Sequence, residues 1–113
     1  MTWRSFTVER FDMWPKDLNK VWRLGGITVT ELWMLKQAWD AGHFQYVSQR
    51  AFSRYNRYET MYHYAGQTYL FLTEGDPLTE GKVWLRLIEI TKVTPENASV
   101  VLSGYPYGET TLL

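Results

Sequence analysis

Arg50, Arg54 and Arg57 recur among Phe52, Tyr55, Tyr58, Tyr62 and Tyr64 in the stretch SQRAFSRYNRYETMYHYAG. Guanidinium groups meet carboxylates and phosphates through paired hydrogen bonds, while flat rings stack on bases or anchor a protein surface. These residue types offer recognition more readily than catalysis. His43 and His63 are the two side chains whose ordinary titration lies near neutrality. His43 follows Gly42 at a helix end, and His63 sits between Met61 and apolar neighbours, where a hydrogen-bonded core role is expected.

With no cysteine, thiol nucleophiles, disulfides and zinc–thiolate sites are excluded. Two histidines would need carboxylates to complete a metal site, and no spacing suggests one; no metal or cofactor is expected. TEGDPLTEG lacks the ligand pattern of a calcium loop, TEGK is too short for a phosphate loop, and no serine lies in a nucleophile elbow. No catalytic residue is assigned. The least favoured reading is a small metal-independent ribonuclease using His63 with Glu59, and Arg54 or Arg57 on the phosphate.

The totals narrow the class. A chain of 113 residues has the size of one domain, and 45% hydrophobic with 21% charged residues argues against disorder. Twelve basic residues balance twelve acidic ones, which speaks against a generally nucleic-acid-binding protein but leaves room for a local basic stripe. Six Trp, eight Tyr and five Phe exceed what so small a core easily hides, so some rings are expected at the surface. MTWRSFTVER is too polar for a signal peptide, and no apolar run nears the ~20 residues of a membrane span. NAS at Asn97–Ser99 is read as a chance match to the glycosylation pattern. A cytoplasmic setting without membrane attachment is expected.

The elements must position these groups. SFTVERF alternates as a first strand, and Pro15 opens a short helix that puts Leu18, Val21 and Trp22 on one face before Gly25-Gly26. TVTELWMLKQAWDAGHF carries the clearest helix signal: Thr28 and Glu31 form a capping-box pattern and Gly42 a stop. Leu32, Leu35 and Trp39 make its inward face, and Trp33 points roughly 110° away from that stripe. Helices apolar beyond one stripe are usually buried, so a neighbouring element is expected to cover Trp33.

A further helix is predicted over Phe44 to Tyr58, with Phe44, Val47, Ala51, Tyr55 and Tyr58 facing the core. Arg50, Arg54 and Arg57 would then form a cationic edge roughly 95° to one side. YETMYHYAGQTYLFLTEG reads as a hairpin turning at Gly66-Gln67, with Tyr64 opposite Tyr69 and Tyr62 opposite Phe71, all on one face. KVWLRLIEITKV reads as a long strand, ASVVLSG as another, and residues 104–113 as an irregular arm.

The expected fold is therefore α+β over residues 1–113 as a single domain. An N-terminal strand and two to three short helices precede an antiparallel sheet of three to five strands, with a winged-helix-like layout as the alternative. For the hairpin rings, packing under the helices is the default. The expected binding residues are Trp33, Arg50, Arg54, Arg57, Tyr62, Tyr64, Tyr69 and Phe71, the hairpin rings among them contributing if their face is open.

The leading expectation is a non-enzymatic binding module with a regulatory or inhibitory role, of the kind found in phages and mobile elements. Its partner would be a protein or a second copy of the chain, with nucleic acid as the alternative. A third reading makes it a component of a larger assembly, with YPYGETTLL donated as a strand to a neighbour.

Overall fold

In the computed structural model, which describes residues 13–79 and 85–105, Thr28 Oγ1 accepts the Glu31 amide hydrogen at 3.0 Å and starts helix α1, Val29–Asp40. That is half of the capping box. The Glu31 carboxylate leaves the other half unmade and turns to the sheet, accepting from the Tyr69 hydroxyl at 2.9 Å and pairing with Lys92 at 3.1 Å. The cap thus fixes both where α1 begins and which strands it crosses.

The strands are β1 (Trp22–Leu24), β2 (Gln45–Phe52), β3 (Arg57–Tyr64), β4 (Gln67–Glu74) and β5 (Arg86–Val93); a one-turn helix α2 spans Ala98–Val101. They form a five-stranded sheet in the order β1-β5-β4-β3-β2. The architecture is a small α+β fold with two helices, fewer than the sequence suggests. The sheet is mixed rather than antiparallel, because β1 runs parallel to β5. The winged-helix layout is not adopted: the hairpin β3–β4 lies inside the sheet instead of projecting as a wing.

Several local expectations change. Residues 44–58 are not a helix but β2, a short 3-10 turn at Ser53–Tyr55 and the start of β3. Tyr, Val and Phe suit a pleated surface better than a helix, and pairing from Gln45↔His63 to Phe52↔Arg57 decides the matter over distance. The helix expected after Pro15 shrinks to one 3-10 turn, Leu18–Lys20, followed by β1. ASVVLSG forms α2 rather than a strand. The strand expected over SFTVERF and the arm beyond Tyr105 fall outside the described residues, as do residues 82–84 of the long strand.

The hairpin turns one residue earlier than expected. Ala65 and Gly66 both have positive φ, the type I′ pattern, so Tyr62 opposes Tyr69 and Thr60 opposes Phe71. Tyr62, Tyr69 and Phe71 still share a face, because the pairing moved by an even number of residues.

That face meets α1. Tyr62, Tyr69, Phe71, Leu87 and Ile90 bury against Leu32, Leu35, Trp14 and Ile27. The opposite face carries Met61, Leu70 and Val93, covered by Ala98, Leu102 and Tyr105. The sheet is the middle layer of three. At its β1 side, Gly25 has φ +87° and a Cβ there would stand 2.2 Å from the Lys92 carbonyl oxygen, so only glycine lets β1 close on β5.

Candidate binding surface at the end of β2

The hairpin rings are core. Phe71 is fully buried, Tyr62 and Tyr69 nearly so, and Tyr64 is half-buried with its ring stacked on Phe44 at 4.9 Å. Trp39 stacks on Phe71 at 5.2 Å and meets the Tyr62 ring edge-on at 5.1 Å. Burial pushes the Tyr62 and Tyr69 hydroxyls far above the ordinary tyrosine range, and the Glu31 carboxylate adds to the effect at Tyr69. Tyr62, Tyr69 and Phe71 therefore hold the fold and present no ring to a partner.

The three arginines take different roles. Arg50 is committed within the chain: it pairs with Glu59 at 2.8 Å, donates to the Ser103 carbonyl, and lies 4.3 Å from the Tyr105 ring centroid. It ties the segment after α2 to β2. Arg54 is exposed on the 3-10 turn, with its guanidinium 5.9 Å from the Tyr55 ring centroid. Arg57 opens β3 opposite Glu74, but the Glu74 carboxylate is held by Arg86 at 3.0 Å. The Arg57 Nε is buried and has no hydrogen-bond partner among the described residues. Neither Arg54 nor Arg57 makes an ion pair among the described residues.

Arg54 and Arg57 come together around a groove of about 610 Å³ whose other walls are Ala51, Phe52, Tyr55 and Leu72. The groove exists because β2 ends at Phe52 and Asn56, in the left-handed conformation with φ 56°, turns the chain back into β3. Tyr55 is 67% exposed and Phe52 43%. The expected binding residues include Arg54 and Arg57 but not Phe52, Tyr55 and Leu72, because a helix over Phe44 to Tyr58 sends Tyr55 inward, whereas the strand and turn leave it exposed.

Trp33 is uncovered, contrary to expectation. It is 54% exposed on the outer side of α1, beside Val29 and Met34, which are exposed as well. It is not near the arginine groove in the chain of contacts: α1 covers the face of Tyr62 and Phe71, whereas Phe52 and Arg57 share the opposite face with Met61.

The remaining polar groups serve the fold. Asp76 accepts from the Leu78 amide at 2.9 Å and the Thr79 hydroxyl at 2.8 Å, and Gln49 of β2 donates to it at 3.0 Å. His63 Nδ1 lies 3.2 Å from the Thr68 hydroxyl. Glu59 and His63 are separated along β3 by about 13 Å at the usual rise per residue, too far to act on one phosphate together. Among the described residues no group of His, Asp and Glu is arranged to hold a metal ion, and no helix is long and apolar enough to cross a membrane. Comparison with protein-family models, with curated proteins and with solved structures finds no match.

Proposed function

We propose that the chain is a non-enzymatic cytoplasmic binding module that holds a protein partner at the corner formed by the end of β2, the 53–55 turn and the start of β3. One observation supports this above the rest: an open groove pairs exposed Phe52 and Tyr55 with two arginines that lack carboxylate partners among the described residues. Aromatic residues and arginine supply most of the energy at protein interfaces, where the ring fills a pocket and the guanidinium finds an acceptor. A regulatory or inhibitory role would be exerted by covering the partner's own working surface. A second copy of the chain is one candidate partner, and the exposed Trp33 patch on α1 is a separate place for it to dock.

The test is paired capture with wild type and Arg54→Glu/Tyr55→Ala as baits, both checked for the same melting temperature. A protein retained by wild type and lost from the variant is the expected result; equal recovery by both removes the corner from the function. The alternative is single-stranded nucleic acid stacked on Phe52 and Tyr55 with phosphate on Arg54, a reading favoured by the adjacency of rings and cation. Salt separates the two. Phosphate contacts release counterions and weaken steeply as salt rises, whereas a ring-anchored protein interface changes little.

A further inference from the structure

We infer that the groove recognises an acidic–apolar segment of a protein partner: an aspartate or glutamate carboxylate on Arg54 and Arg57, with a large apolar neighbour against Phe52, Tyr55 and Leu72. This rests on the protein-partner reading above and narrows its chemistry.

The unusual feature is Arg57. A buried guanidinium N–H without an acceptor is costly, and native structures leave few such groups unexplained. Among the described residues, the two carboxylates on its sheet face are engaged elsewhere, Glu74 by Arg86 and Glu59 by Arg50. A carboxylate entering the groove meets the part of the Arg57 guanidinium that lines it, and the planar fork of arginine is suited to a carboxylate's two oxygens. Arg54, exposed and held only over the Tyr55 ring, adds a second cation that needs little rearrangement to reach the same anion.

The rest of the lining is apolar: Ala51, Phe52, Leu72 and the body of Tyr55. A bare anion would leave that surface wet, and an uncharged apolar group would leave the arginines unmet, so the complement carries both characters. A long polyanion fits less well. Glu59 and Glu74 stand on the same sheet face as Arg57, and the chain as a whole is neutral. One carboxylate can approach two arginines without meeting those two glutamates; a phosphate chain passing over the corner cannot.

The experiment is a titration of the ¹⁵N-labelled full chain, followed by amide shifts. The probes are an N-acetylated, C-amidated Trp-Glu-Leu peptide, its Trp-Gln-Leu counterpart, inorganic phosphate, and a short oligothymidylate. The acidic peptide should move the amides of residues 51–57 and Leu72 in a saturable way. The glutamine peptide should bind about tenfold more weakly, as should the acidic peptide on Arg54→Gln or Arg57→Gln protein; tenfold corresponds to about 1.4 kcal/mol. Because Arg57→Gln removes an orphaned donor, the free variant should melt no lower than wild type, which keeps the binding comparison clean.

Equal affinity for the two peptides, no shift with either, or phosphate binding as well as the acidic peptide would each overturn the inference. Tighter binding of the oligothymidylate, lost on raising salt, would overturn it in favour of nucleic acid. If both peptides are silent while paired capture still loses a protein on Arg54→Glu/Tyr55→Ala, this inference falls and the protein-binding corner stands.

Discussion

At the scale of single residues, identical side chains divide between the packed interior and the open surface. Arg50 and Arg54 lie four positions apart, yet Arg50 is enclosed by Glu59, the Ser103 carbonyl and the Tyr105 ring, and Arg54 reaches water. Arg50→Ala leaves the largely buried Glu59 carboxylate without its cation and frees the segment after α2. It should cost about 2 kcal/mol in urea unfolding. Arg54→Ala should stay within about 0.5 kcal/mol of wild type, because it removes an exposed group with no ion pair. If Arg54→Ala proved as costly as Arg50→Ala, Arg54 would be part of the fold and the groove would lose its free cation.

At the scale of elements, the turn between β3 and β4 is the least settled piece of local chemistry. Ala65 sits at φ 52°, in the left-handed region that disfavours a Cβ, next to Gly66 at φ 76°, which tolerates it. Asn-Gly is the preferred pair for this turn type, so Ala65→Asn should raise stability by about 0.5–1 kcal/mol, read as a higher melting temperature. A decrease would mean that the turn is not of this type. The N-terminus of α1 behaves oppositely: Thr28→Ala should cost about 1 kcal/mol, since the Glu31 amide loses its only side-chain acceptor and Glu31 is occupied with Lys92 and Tyr69.

At the scale of the whole molecule, the rings of the described residues divide between a cluster under α1, Tyr105 on the opposite sheet face and several at the surface. Burial raises the hydroxyl pKa of Tyr62, Tyr69 and Tyr105 above the ordinary value of 10.0. In the unfolded chain these groups lose their protons near that value, while the folded state keeps them longer. Their stabilising contribution is therefore whole below pH 10.0 and is lost as pH rises beyond it. Melting temperature should hold steady from neutrality to that point and then fall. In absorbance titration these three tyrosines should ionise only as the protein unfolds. Ionisation of these three near pH 10.0 in a chain that is still folded would contradict their burial.

Part of this was legible in the residues. Thr28, Glu31 and Gly42 bracket α1 because caps and stops act through neighbours in the chain, and the shared face of Tyr62, Tyr69 and Phe71 survives any even shift of register. The α+β class follows from the same local patterns. What local pattern could not decide was the state of residues 44–58. Their apolar spacing fits a helix, but a strand wins where β2 pairs along the edge of β3.

The parallel placement of β1 beside β5, the exposure of Trp33 and the meeting of Arg54, Arg57, Phe52, Tyr55 and Leu72 are likewise products of long-range pairing. Local pattern set which segments could be helix or strand and which rings and charges were available. Tertiary structure alone decided which of them were hidden and which were left facing water, because burial depends on the neighbours that distant strands bring and not on the residues alongside in the chain.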